Sequence, residues 1–183
     1  MNASVLIIVL VVLLGLVVMV YYNKLVKLKN KVEESWSGID VQLKRRHDLI
    51  PNLMESVKGY AGHEKGIFEK LAQARTQAIS ADTVSDQASA ENMLSQSLKS
   101  LFAVAENYPD LKASENFRQF QQELSDVEDE IQLARRYYNA NTRDYNTTVE
   151  SFPGVLIAGP MNFEKYDYFE IDYAEKAVPK VKF

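Results

Sequence analysis

Hydrophobic positions along this chain follow two regimes. From Ala3 to Tyr22, twenty consecutive residues carry no charge, and Ser4 is the one clear polar interruption. At 1.5 Å per residue such a run crosses the ~30 Å hydrocarbon core of a bilayer as a helix. Fourteen of the twenty are Val, Leu or Ile, each favouring insertion by roughly 0.3–0.6 kcal/mol. Beyond Tyr22 the apolar positions thin to a single face. Leu25, Leu28, Val32, Trp36, Ile39 and Leu43 recur in steps of three and four, which predicts a helix continuing out of the membrane.

The same period marks the helices that follow. Asp48 can cap a second helix with Pro51 in its first turn, where no internal N–H bond is lost. A kink at Pro51 within one long helix is the alternative. Leu53, Val57, Tyr60, Ala61, Ile67, Phe68, Leu71, Ala74 and Ala78 then keep phase across Gly59 and Gly62, so those glycines read as close-packing positions inside a helix. Ser80-Ala81-Asp82-Thr83 is a polar loop with capping residues. A third helix runs from about Asp86 to Asn107 with Leu94, Leu98, Leu101, Phe102 and Ala105 inward, and Tyr108-Pro109-Asp110 ends it.

The fourth helix carries the clearest pattern: Phe117, Phe120, Leu124, Val127, Ile131, Ala134, Tyr138, Asn141, Tyr145, Val149 and Phe152. Pro153-Gly154 stops it. At roughly 40 residues and about 60 Å it outruns its partners, so the membrane-proximal helix, the tail or another subunit must cover its far end. Four amphipathic helices with short connections predict an all-α fold, a transmembrane helix followed by an antiparallel bundle of about four helices. The expected organisation is an anchor over 1–23, a bundle over 24–152, and an irregular aromatic tail over 153–183. That tail holds Phe163, Tyr166, Tyr168, Phe169, Tyr173 and Phe183, too many aromatics for ordinary disorder. It is expected to pack on the bundle or on a neighbouring subunit, with Phe169–Tyr173 and Val181–Phe183 alternating like short edge strands.

The anchor reads as retained. A signal peptide needs a basic start, a shorter apolar core and a small-residue cleavage site, and Met1-Asn2 and Met19-Val20-Tyr21-Tyr22 supply none of these. Lys24, Lys27, Lys29 and Lys31 follow the run, so the positive-inside rule puts the N-terminus outside and the C-terminal domain in the cytoplasm. About 160 residues then remain, enough for one domain. Absence of cysteine excludes disulfides, thiolate chemistry and Cys-ligated zinc. A net charge of −4, with cations spread along the chain, argues against nucleic acid as a partner.

Candidate chemistry is sparse. Lys44-Arg45-Arg46-His47 is the one basic cluster and reads as the last turn of a helix, where cations complement the macrodipole. On that reading Arg46→Ala changes stability by only tenths of a kcal/mol. His47 and His63 are the two histidines, and His63-Glu64 lacks the second His of a zinc helix; both read as surface residues near helix ends. No phosphate loop, dinucleotide fingerprint or nucleophile elbow is present. Glu123, Asp126, Glu128, Asp129 and Glu130 lack the Glu-x-x-His pairs of a di-metal bundle. They read as a solvated face, with Glu128 and Glu130 preceding Arg135 and Arg136 as helical ion-pair partners. No catalytic, cofactor-binding or metal residue is therefore assigned, and the chain is expected not to be an enzyme. Tyr138-Asn139 and Tyr145-Asn146 sit seven apart, as core tyrosines whose hydroxyls reach polar partners or as a register device with Asn141 at a core position.

Tyr22-Asn23-Lys24-Leu25-Val26, the block WSGIDVQLKRRHDLIPNLMESVKGY from Trp36 to Tyr60, AENYPDLKASENF from Ala105 to Phe117, and the Tyr-Asn heptad ending in Ser151-Phe152-Pro153 together resemble the LemA family of bacterial membrane proteins. The resemblance covers nearly the whole chain after the anchor. It implies a single N-terminal membrane helix in a bacterial inner membrane, a helical-bundle domain and, through a magnetosome-associated relative, a role in membrane organisation; it brings no defined catalytic residues. Pro160-Met161-Asn162-Phe163 stands where the family often has a Gly-Phe pair. Some relatives carry a lipoprotein-type Cys at the end of the anchor, which this chain lacks. The expected function is a membrane-anchored scaffold that self-associates as a homo-oligomer, with the lipid bilayer bound through Ala3–Tyr22. The alternative is an adaptor recruiting a membrane-protein partner, such as a protease or signalling protein. Ligand sensing within the bundle has only the polar position at Asn141 behind it.

Overall fold

The computed structural model describes residues 2–170. Its helices are α1 (Ala3–Lys58), α2 (Lys65–Ile79), α3 (Val84–Ala105), α4 (Pro109–Ala113), α5 (Glu115–Glu150) and α6 (Gly154–Ala158), and no strand occurs among the described residues. The expected all-α class holds. The alternating stretches expected at Ile171, Tyr173 and Val181–Phe183 lie outside the described residues; Phe169 and Glu170, at the start of the first, are not in a strand.

Of the two possibilities at Pro51, the continuous helix is observed: α1 runs through Pro51 to Lys58. The glycine reading is corrected. Gly59 and Gly62 lie in a turn between α1 and α2, and Tyr60, expected inward, is exposed. Two glycines within four residues each weaken a helix by about 1 kcal/mol relative to Ala, enough to end one whose hydrophobic phase persists. Thr83 opens α3, its hydroxyl accepting from the Asp86 N–H at 3.0 Å and donating to the Asp86 carboxylate at 2.7 Å, a reciprocal N-cap.

The described residues form two compact units. One comprises residues 2–41 and 132–167. Its anchor segment is exposed at every position from Ala3 to Val20, and further along α1 Leu25, Val32 and Ile39 are buried. The Trp36 ring meets Tyr138 of α5 edge-on at 5.3 Å. Within this unit the far end of α5 is thus covered by the membrane-proximal part of α1 and by the segment after α6. The other unit comprises 42–131 and 168–170. Its core joins Ile50, Leu53 and Val57 of α1 to Leu71 of α2, Leu94 and Leu101 of α3, Leu111 of α4 and Phe117 of α5.

Candidate functional site

Heptad series place the side chains that follow. Leu25, Val32, Ile39, Arg46 and Leu53 are successive sevens on α1, and all five are buried, Arg46 at 4% exposure. Glu91, Leu98 and Ala105 are sevens on α3, and Glu91 is fully buried. A cation and a carboxylate thus occupy core positions of neighbouring helices. They find each other: Arg46 Nη1 donates to Glu91 Oε2 at 3.1 Å. Arg46 Nη2 donates to Ser95 Oγ at 2.7 Å and lies 3.1 Å from Glu128 Oε2 of α5.

The other Glu91 oxygen is equally engaged. His47 Nε2 lies 2.7 Å from Oε1; an ionised carboxylate only accepts, so the imidazole donates through Nε2. Gln87 Nε2 donates to the same oxygen and to the Ala78 carbonyl, each at 3.0 Å, which also satisfies one of the free carbonyls ending α2. Glu91 therefore accepts three donors in a dry setting, the condition under which a buried charge is tolerated. One further donor completes the cluster. Pro51 has no N–H, so the carbonyl four residues back, at His47, has no helical partner. Arg75 of α2 donates to it through Nε at 2.8 Å.

These contacts correct three expectations. Arg46 and His47 lie inside α1, about three turns before its end at Lys58, not in a last helical turn, and both are buried. Burial of a paired charge also argues against a near-neutral Arg46→Ala. Of the two histidines, His63 fits the surface reading. Glu128 turns to Arg46; seven residues separate it from Arg135, about twice the spacing at which helical side chains pair. The arrangement acts as a lock. Both Glu91 oxygens and both terminal nitrogens of Arg46 are engaged by protein groups. Among the described residues no three His, Asp or Glu side chains are grouped to hold a metal ion.

A second polar cluster ties the segment after α6 to α5. Tyr138 and Tyr145, a heptad apart, donate their hydroxyls to the carbonyls of Asp167 (2.9 Å) and Glu164 (2.8 Å). Asn146 clasps the Tyr166 backbone, Nδ2 donating to its carbonyl at 2.9 Å and Oδ1 accepting from its N–H at 3.0 Å. An extended segment is thus held as a strand partner would hold it. Tyr166 donates to Glu33 of α1 at 2.9 Å. Burial pushes all three phenols above their ordinary value; neighbouring Glu33 and Glu164 carboxylates add to this at Tyr145, and the hydrogen bond to Glu33 at Tyr166. The structural reading of the Tyr-Asn repeat is the one observed at Tyr138 and Tyr145. Asn141, the expected register residue, is half-buried and its Nδ2 finds no partner among the described residues.

Comparison with known proteins places these features in a family. Residues 35–183 match the model of the LemA family, and the chain belongs to it. Protein LemA of Metamycoplasma hominis is 30% identical over 157 residues, covering 84% of this chain and 71% of that one. Magnetosome protein MamQ 2 of Paramagnetospirillum magneticum is 25% identical over 175 residues, and magnetosome protein MamQ of Magnetospirillum gryphiswaldense 24% identical over 174. Each alignment covers 81% of this chain, which spans 64% of the length of these magnetosome relatives. Among the described residues one helix, α1, is long and apolar enough to cross a membrane, and the protein is membrane-associated through it.

Proposed function

We propose that this LemA-family chain is a non-enzymatic scaffold that is anchored by Ala3–Tyr22, self-associates, and organises the bilayer or a membrane complex. The construction of α1 carries the reading. Its first stretch is apolar and open on every side, while its remainder is spent on core positions such as Val32, Ile39 and Leu53. Anchor and folded core are one element, as suits a protein whose work is to hold position. Leu133 and Tyr137, four apart on α5 and 55% and 57% exposed, give self-association an apolar stripe. The relatives named as magnetosome proteins support a place in membrane organisation. Lys24, Lys27, Lys29 and Lys31 support an inner-membrane topology with the N-terminus outside and the folded part cytoplasmic.

The test is the mass of the full chain in detergent and in nanodiscs. A concentration-dependent oligomer that Leu133→Glu dissolves supports the scaffold; a strict monomer in both media overturns it. A reporter fused after Phe183 reads the side of the membrane. An adaptor role has one observation in its favour, an open groove of about 390 Å³ between α2 and α3 lined by Gln73, Gln77, Met93, Gln96 and Ser97. Side-chain amides suit the backbone of an extended partner peptide. Crosslinking in cells separates the readings: a homo-oligomer ladder for the scaffold, a dominant heterologous product for the adaptor.

A further inference from the structure

We infer that the elbow from Phe152 to Phe163 is a second membrane contact, lying in the bilayer interface beside the exit of the anchor. Twelve consecutive residues, FPGVLIAGPMNF, carry no charge. An uncharged run of that length is too short to span a bilayer and fits an interfacial segment. The structure shows how it is built. Ile157 and Ala158 turn inward, and Gly154 is so close to the Thr148 carbonyl that a Cβ there would collide with it. The opposite side is bare: Phe152 is 80% exposed, Leu156 65%, Met161 49% and Val155 47%. No large apolar residue of the anchor itself exceeds 62%, and the solvent of those residues is lipid.

Position identifies the occupant. The Phe163 ring packs edge-on against Tyr22 at 5.7 Å, and Tyr21-Tyr22 close the apolar run where interfacial aromatics sit. Backbone bonds from the Phe163 N–H to the Ala158 carbonyl (2.9 Å) and from the Met161 N–H to the Ile157 carbonyl (3.2 Å) keep the elbow compact. Asn162 supplies the left-handed residue of its turn at φ 57°. A five-residue helix is only about 8 Å long, so the bare side chains stay near the level of Tyr22. Charge resumes just outside, where Lys165 Nζ meets Glu150 Oε1 at 2.8 Å across the base. An apolar cap with a charged base, fixed to the aromatic end of a membrane helix, is matched by a lipid surface.

The inference rests on membrane insertion of the anchor, and the test reads the two separately. The chain has no cysteine, so Leu13→Cys, Leu156→Cys and Ser125→Cys, the last at an exposed position of α5, each give one nitroxide site in the full chain reconstituted in phosphatidylcholine–phosphatidylglycerol vesicles. Collision with lipid-soluble oxygen is compared with collision with a water-soluble nickel chelate. The expected oxygen-to-nickel ratio for the label at position 156 is severalfold above that at position 125 and below that at position 13. Equal ratios at positions 156 and 125, with position 13 in lipid, overturn the elbow contact alone. Water-like behaviour at position 13 overturns anchor and elbow together. Low collision with both reagents at position 156, accompanied by spin–spin broadening, shows a second copy of the chain covering the patch and also overturns the lipid contact.

Discussion

Arg75 should be worth much more to this fold while residue 51 is proline than when it is not. Pro51 is exposed, and the N–H it lacks is the one that would have met the His47 carbonyl. Arg75 Nε restores one hydrogen bond to that carbonyl at 2.8 Å. A bond from a charged donor contributes about 1.5–3 kcal/mol, and leaving a buried acceptor empty costs a comparable amount. Arg75→Met keeps the length of the stem and removes the donor, so it should lower stability by about 1.5–3 kcal/mol. In a chain of this size that is a fall in melting temperature of roughly 3–12 °C. In the Pro51→Ala background the new residue supplies the missing N–H, and the same Arg75→Met change should cost at most about 0.5 kcal/mol. Thermal melts of the four detergent-solubilised proteins by circular dichroism measure the cycle. Equal losses in both backgrounds would refute the reasoning, because the guanidinium would then be acting on something other than the stranded carbonyl.

Four further outcomes follow from the same contacts. Arg46→Met and Glu91→Leu should each cost about 3–5 kcal/mol, since each leaves the other charge buried without its partner, while the double variant should lose far less than the sum; denaturant titration reads both. Leu124→Ala and Ile131→Ala should each cost about 2–5 kcal/mol by opening a cavity beneath buried side chains, measured the same way. Asn146→Ala should cost about 1–3 kcal/mol and speed hydrogen exchange at the Tyr166 amide, which it leaves unclasped. Stability should fall as pH rises past about 10, the ordinary phenol value. With the folded-state values of Tyr138, Tyr145 and Tyr166 raised, the unfolded chain releases phenolic protons first, so the stability these groups contribute is full below that pH and is lost above it. Absorbance of the ionised phenols should show a late-titrating fraction that disappears in Tyr138→Phe/Tyr145→Phe/Tyr166→Phe.

Helix type and core were legible because they rest on period alone. Leu94, Leu98 and Leu101, or Val127 and Ile131, need only their spacing to be placed inside. Arg46 was equally legible by spacing and was misread by chemistry. The sevens through Leu25, Val32 and Ile39 arrive at Arg46 and go on to Leu53, but a charge ordinarily marks a solvated face. The partner that makes its burial tolerable lies 45 positions away on another helix, a distance at which one sequence offers no pairing signal. The break at Gly59 failed for the opposite reason: hydrophobic phase can survive a turn, so phase does not prove continuity. The Asn146 clasp could not have been read at all. Its partners are the backbone N–H and carbonyl of Tyr166, and backbone groups are the same at every position but proline.

Placement of the charges also explains why a core would hold an ion pair that adds little net stability. Replacing a buried pair by apolar side chains is often neutral or favourable, and its best-attested use is to fix register. The apolar positions around Arg46 are permissive: Leu43 and Ile50 flank it on α1, and Ala88, Ala90 and Leu94 flank Glu91 on α3. Sliding Leu and Ala faces past one another by a helical turn, about 5.4 Å, still buries apolar surface. It would also strand Arg46 from Glu91, and it would part His47 from the carboxylate it donates to. With Glu128 drawn to the same guanidinium, one arginine sets α1 against α3 and α5 at once. The double variant Arg46→Met/Glu91→Leu should therefore stay helical while its methyl spectra broaden into several packings, as helices left with apolar complementarity alone have several near-equal registers to choose from. Sharp, singly populated methyl spectra in that variant would mean that apolar shape already sets the register, and the ion pair would have no such role.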